Sequence, residues 1–527
     1  MNKTQQTLPA LMATYRLPCL FFLALIFFYY SLSPAAIAGM GYGRENIDAG
    51  NQILCNLWHW LTLRHATASV TFPRHGMYEP ILELPFLALG RLVFGSSFIV
   101  SDRCASLQPI LLTSILCTLI LEWVRRITAS AIWAYVLAIT AAFATLLWPY
   151  AYIGLETSQS LFVLLAGFMA LSSKGRKGWL HSITFAILSG LAISVKSNGI
   201  FLIPAIAFVI FCYCRSAGSK PFEHSSIAPR KVVVIIAIVA ALYLVNDHSR
   251  SLSATTQSGA LGFLKIFGIR NPLFFFVNMY SLTVSINKGL IIYCPPILLA
   301  LIALHRVHRE NPRLAIFAGL ALLGLMAGSS LMWCWSDETW GPRYLHAAIA
   351  PLLVSFAVTK KAVQFRFRKE IPLLVLVGLG VAVSFVGSLF YYGTLQRVAT
   401  QTSQATIENF EYNPNWNHIR FNAKLLRLWF RGQTNGHLNE IEPWPPVQTR
   451  WYPVGGEGPY VETKQVGLGD YAIPQALMLQ DSPGPHSLLL RLYRASFVMS
   501  LFLGSLMLVW AGRNALREDR FISKPYP

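Results

Sequence analysis

Apolar residues along this chain gather into unbroken runs close to the ~20 positions that a helix needs to cross a hydrocarbon core. Such runs lie at about residues 17–38, 104–122, 129–147, 158–173, 179–195, 199–214, 231–246, 288–305, 313–333, 343–359, 371–392 and 494–511. Short polar connectors separate most of them. The pattern predicts a mainly α, polytopic transmembrane bundle of about twelve spans, because only helices and closed barrels satisfy their backbone groups inside lipid.

Two external stretches, 39–103 and 393–490, are too long to be plain connectors, and a shorter external piece lies at 247–287. Residues 39–103 alternate amphipathic pieces, "NQILCNLWHWLTLRH" and "YEPILELPFLALGRLVFG", with the polar, proline-bearing "TFPRHG". Trp58, Trp60 and the leucines between them fit helices lying in the membrane interface. Residues 247–287 include "LGFLKIFGIRNPLFFFVNMYSL", which suggests another interfacial helix. Residues 393–490 are rich in Pro, Gly, Asn and Trp, and that length is enough for a small external soluble domain. The expected division is therefore a membrane module over 1–392 with its first external loop at 39–103, the external domain over 393–490, and a last transmembrane helix with a cytoplasmic tail over 491–527. No fixed-period repeat, low-complexity tract or Gly-rich nucleotide loop is evident.

Composition agrees with the pattern. Of 527 residues, 54% are hydrophobic and 13% charged, too apolar a balance for an ordinary soluble protein. The net charge of +20 raises the question of nucleic acid. Its distribution answers it: with the amino terminus inside, Lys and Arg collect in "SKGRKG", "HRVHRENPR", "TKKAVQFRFRKE" and "GRNALREDR", all on the cytoplasmic side, and no basic stripe remains for nucleic acid. A rival reading of the first run exists, because "AAIAG" resembles a signal-peptidase site; the stretch from Leu17 to Ala38 nevertheless exceeds an h-region of roughly 7 to 15 residues. The eight cysteines have no paired or metal-ligand spacing and read as small buried hydrophobes.

Chemistry, on this map, belongs to the external ends of the spans. In "GYGRENIDAG" Glu45 and Asp48 are three apart, so they share a face in a helix and converge in a loop. A carboxylate partly desolvated at a membrane surface gains proton affinity and can act as a general base. The competing structural reading makes Asp48 the N-cap of a helix beginning near Ala49. Arg74 and His75 lie in the first loop, Glu156 follows "WPYAYIG", Lys196 joins two short helices in "SVKSNGI", Lys288 opens "NKGLIIYCPP" and Arg343 lies in "WGPRYL". Ionisable groups near membrane depth are costly and mark functional sites, although Lys and Arg at a helix end also snorkel to headgroups. Asp337 and Glu338 read as a solvated turn. His59 and His65 form no metal triad, so no metal site is expected from spacing. Trp416, Trp429, Trp444 and Trp451 either stack on sugar rings or form the small core of their own domain.

These features suit one external cavity, floored by the bilayer, for a substrate with a lipid tail and a phosphorylated head. In order and motifs the chain resembles the integral-membrane GT-C glycosyltransferases, in particular the group of protein O-mannosyltransferases and the lipid A aminoarabinose transferase. The resemblance covers roughly residues 17–390 and rests on "PRHGMYEPILELPFLALG", "SVKSNG", "NKGLIIYCPPILLALIAL" and "WSDETWGPRYLHAAIAPLL". It implies a GT-C-like fold and a polyprenyl-phosphate sugar as donor. It also implies a glycan, lipid or protein acceptor, and an acid in the first external loop, here Glu45 or Asp48, as general base. The pair is not adjacent, as the family's often is, so which one serves stays open. Cations holding the lipid phosphate carry over to Lys196, Lys288 and Arg343. Some relatives use a divalent metal and others none, which leaves the cofactor open. The expected setting is a bacterial inner membrane with the active site facing the periplasm. Two rivals remain, a transporter or flippase of a lipid-linked glycan and a structural subunit; the first calls for mid-span polar groups and duplicated halves.

Overall fold

The computed structural model describes residues 8–32, 42–61, 76–94, 104–105, 107–152, 154–172, 178–216, 229–251, 272–332, 340–389, 417–430, 447–451, 460–464 and 487–522. The chain is mainly helical. In order come α1 (Leu8–Ser31), α2 (Tyr42–Leu61), α3 (Tyr78–Phe94), α4 (Leu107–Thr128), α5 (Ala131–Phe143), α6 (Gly154–Leu171), α7 (Trp179–Ser194), α8 (Ile203–Ser216), α9 (Pro229–Ser251) and α10 (Pro272–Val284). There follow α11 (Leu290–Tyr293), α12 (Ile297–Glu310), α13 (Pro312–Ser330), α14 (His346–Phe356), α15 (Ile371–Leu389), α16 (His418–Phe430) and α17 (Ser487–Ile522). Between α16 and α17 an antiparallel strand pair, β1 (Val447–Trp451) with β2 (Tyr460–Lys464), sets Thr449 opposite Glu462.

Among the described residues, seven helices are long and apolar enough to cross a membrane, and four shorter apolar helices accompany them. Two of the expected runs are broken by their own sequence. The run at 288–305 is interrupted at Cys294–Pro296, because consecutive prolines lack N–H groups and cannot continue α11 into α12. The run at 129–147 ends early at Phe143, and residues 144–152 turn instead, fixed by Thr145 and by Ser384, whose hydroxyl donates to the Thr145 carbonyl (2.9 Å).

Burial separates two kinds of helix. Every residue of α14 is buried, and α4, α5, α6, α12 and α13 surround it. By contrast α9, α10 and α17 expose Val233, Ile236, Phe274, Phe276, Phe502 and Leu506. A belt of large apolar side chains on the outside of a helical bundle is what lipid contact requires. The chain is accordingly a membrane protein.

Neighbouring helices pack as pairs joined by short links, so the bundle has two ends. One end gathers Arg125, Arg126, Arg215, Arg230, Arg306, Arg313 and Lys360 at helix termini, and is called the basic end below. There Asp519 of α17 caps α5, accepting from the Ala131 N–H (2.7 Å) and the Ser130 hydroxyl (2.7 Å). The opposite end holds the start of α6, the α7–α8 junction and the residues before α14.

In the first loop, α2 and α3 are the two amphipathic helices expected there. They pack side by side at Gly50, where any Cβ would meet Leu87. The helix expected within 247–287 is α10. For 393–490, the described parts are α16 and the strand pair; the indole positions Trp416 and Trp444 lie outside the described residues, as do the side chains of Trp429 and Trp451. Among the described residues no disulfide occurs; Cys117, Cys212, Cys214 and Cys294 are buried as expected, whereas Cys55 and Cys104 are half-buried and Cys19 is exposed, which corrects that reading for these three.

Candidate functional site

Three residues far apart in sequence meet at the end of the bundle opposite the basic one. Glu156 lies in the first turn of α6, Lys196 in the extended residue between α7 and a 3-10 turn at Ser197–Leu202, and Arg343 at the head of a 3-10 turn leading into α14. Lys196 Nζ lies 2.6 Å from Glu156 Oε1, and Arg343 Nε donates to the same oxygen. The three are 1, 2 and 4% exposed, so this is a charge cluster removed from bulk water. The Lys196 ammonium also stands over the Tyr344 ring, 4.9 Å from its centre.

Local sequence explains why the cations arrive here. Gly341 adopts φ +60, a conformation that favours glycine, and a Cβ there would collide with Tyr293 and Leu146. Pro342 then starts the turn that carries Arg343 inward. The Trp340 ring meets Tyr293 edge-on at 5.2 Å, and its carbonyl accepts from the Tyr150 hydroxyl (2.7 Å). The "YCPP" and "WGPRYL" blocks are thus one packed unit. His346, the first residue of α14, lies beside Glu156's helix with Nδ1 at 2.6 Å from the Ser160 hydroxyl.

A second buried acid adjoins the cluster. Glu79, in the first turn of α3, is 1% exposed, and Gln108 Nε2 donates to its Oε1 (3.0 Å). Its carboxyl lies over Gly154, where a Cβ would collide with it; glycine at the start of α6 is what lets α3 approach so closely. Burial lifts the Glu79 carboxyl from the ordinary 4.5 to about 7, against the lowering effect of Gln108 and Ser158, and the charge of Glu156 adds to the rise. The start of α3 is tied down by α9. The Met77 N–H donates to Asn246 Oδ1 (2.8 Å), while Asn246 and Arg250 both donate to the Ser194 carbonyl at 2.6 Å.

Polar atoms without a hydrogen-bond partner concentrate here. Among the described residues, Glu79 Oε2, Gln108 Oε1, Glu156 Oε2 and both amide atoms of Asn198 are buried and unsatisfied by the protein. Native interiors leave few such atoms, and each calls for water, an ion or a ligand.

The expected site residues divide accordingly. Glu156, Lys196 and Arg343 come together. Lys288 is 0% exposed at the same end, in a turn where its N–H donates to Ser285 Oγ (3.2 Å). Asp48 is exposed on α2, and the side chain of Glu45 lies outside the described residues, as do Arg74 and His75. The N-cap reading of Asp48 is wrong: α2 starts at Tyr42, so Asp48 stands inside the helix, because the Ile47, Gly50 and Leu54 stripe seats this segment against α3. Glu79, Gln108 and His346 were not singled out by the sequence pattern. A signal for Glu79 exists, since Glu79 and Glu83 recur four apart in an otherwise apolar piece and both prove buried. No group of three or more His, Cys, Asp or Glu suited to a metal occurs among the described residues.

Two cations thus share one buried carboxylate in a poorly solvated place. Such an arrangement fits an anionic group with hydrogen-bonding oxygens. No protein-family model matches the chain, and no curated protein matches it in sequence.

Proposed function

We propose that this chain is a membrane glycosyltransferase of the GT-C type, which takes a sugar from a polyprenyl-phosphate carrier and passes it to a glycan, lipid or protein acceptor. The observation that carries this reading is the convergence of Lys196 and Arg343 on Glu156, from three separate elements, at the end of the bundle away from the basic residues. By the positive-inside rule that end faces outward, which in a bacterium is the periplasm. The carrier's tail stays in lipid beside the bundle, and its phosphate meets Lys196 and Arg343. Phosphate is a good leaving group, so the cations stabilise the departing charge and little protonation is needed. Asp48 or Glu45 in the first loop takes the proton of the acceptor hydroxyl. The residues over 393–490, with α16 seated on α15, form the external part that approaches the acceptor.

The test is a strain lacking the protein, complemented with wild type, Asp48→Asn, Glu45→Gln, the double variant and Arg343→Lys, with surface glycans and lipids read by mass spectrometry. The reading expects a glycan or lipid modification that disappears with the gene. It also expects loss in the double acid variant and in Arg343→Lys at unchanged protein level. A modification that survives both overturns the catalytic assignment, and transport defects without loss of transfer in membranes favour the flippase.

A further inference from the structure

Glu79 belongs to the site, and its geometry says in which form. Of its two oxygens, Oε1 accepts from Gln108, as a carbonyl oxygen does, whereas Oε2 is buried without a partner among the described residues. An ionised carboxylate left with an unsatisfied buried oxygen is costly; a neutral carboxyl with its hydrogen on Oε2 is a donor awaiting an acceptor. The surroundings favour the neutral form. Burial and the repulsive charge of Glu156 on α6 outweigh Gln108 and Ser158, whose hydrogen bonds favour the ionised form. α4 brings the uncharged Gln108 and, near its start, the thiol of Cys104. α2 brings Asp48, and α3 itself carries Glu83 and Arg91, the latter donating to Asn51 (2.8 Å). Next to Tyr78, α9 places Arg250 close to Asp247 (3.9 Å).

The neighbourhood then links Glu79 to ligand binding. An ionised Glu79 adds a second negative charge beside Glu156 and repels an anion, whereas the neutral carboxyl offers it a donor. We infer that Glu79 is a proton-linked part of the anion site: the neutral carboxyl donates from Oε2 to a phosphate oxygen of the lipid carrier, so that binding the carrier above neutral pH takes up one proton. The inference rests on the proposed reading of the cluster as a phosphate site and adds a residue and a proton to it.

The experiment uses the full chain in nanodiscs with three probes: a polyprenyl monophosphate, the uncharged polyprenol of the same length, and inorganic phosphate. Calorimetry at pH 8 in two buffers of different ionisation enthalpy counts protons. Wild type is expected to bind the polyprenyl phosphate with uptake of about one proton, and its affinity to fall about tenfold per pH unit above 7. Glu79→Gln, neutral at every pH, is expected to take up no proton on binding and to show a flat pH profile. Binding by wild type without proton uptake, or an unchanged pH slope in Glu79→Gln, overturns this inference and leaves the phosphate site standing. Binding of the polyprenol as tightly as the phosphate overturns both. Inorganic phosphate binding with the same proton count keeps the proton-linked anion site and removes the lipid from it.

Discussion

The two ends of the bundle handle charge in opposite ways. At the basic end, Arg126 meets Glu122 at 2.9 Å and Arg306 meets Glu310 at 2.8 Å, each within one helix turn and open to solvent. Pairs of this kind are worth at most ~1 kcal/mol and are screened by salt. At the other end Glu156, Lys196 and Arg343 are buried, drawn from separate elements, and left with unsatisfied oxygens nearby. Burying ions costs several kcal/mol each, and well-packed apolar residues would hold the same helices together as well or better. Stability alone explains the first end and not the second. A buried cluster that a fold could do without is most readily understood through what it binds.

That contrast can be pressed hardest at the cluster itself. Arg343→Met leaves Glu156 and Lys196 mismatched in their pocket, and Glu156→Gln leaves two cations facing a neutral amide. Each single change is expected to cost about 3–5 kcal/mol in detergent unfolding. The triple variant Glu156→Leu, Lys196→Met, Arg343→Met removes every charge and is expected to recover most of that loss while binding no carrier. Failure of the triple variant to regain stability means that the cluster is a structural element in its own right.

Glu79 provides the next largest effect, with a defined sign. Its folded-state value of about 7 lies above the ordinary 4.5, so the folded chain holds a proton that the unfolded chain has lost between these two values. The stability Glu79 contributes is complete below about pH 4.5 and falls as pH rises to 7, by an amount on the order of 3 kcal/mol. Glu79→Gln removes this loss. Relative to wild type it should therefore gain thermal stability at pH 8 compared with pH 5; an equal difference at the two values contradicts a buried, neutral Glu79. At the basic end, Arg306→Ala is expected to move stability by less than ~0.5 kcal/mol at any pH in the same assay.

The helical, membrane-type frame was legible in the sequence, because lipid contact demands long apolar runs. Pro295 and Pro296 divided one run in a way that hydropathy alone does not register. Glu156, Lys196 and Arg343 were each legible as span-end charges, but their meeting was not: Arg343 stands 187 positions from Glu156, and nothing local says that both cations turn to one oxygen. Glu79 was hidden for a different reason. An acid at the start of an amphipathic helix reads as a group facing water, and only the packing of α3 over Gly154 reverses that. With Asp48 the local sequence left a cap and a helical position both open, and the helix, which begins at Tyr42, takes the second.

The most direct measurement is native mass spectrometry of the purified chain released from membrane extracts, wild type beside the folded triple variant. The account predicts a retained polyprenyl-phosphate adduct on the wild type and its loss from the variant. A wild type without such an adduct when carrier lipid is supplied, or a variant that keeps it equally well, contradicts the claim that the buried cluster is the seat of the carrier's phosphate.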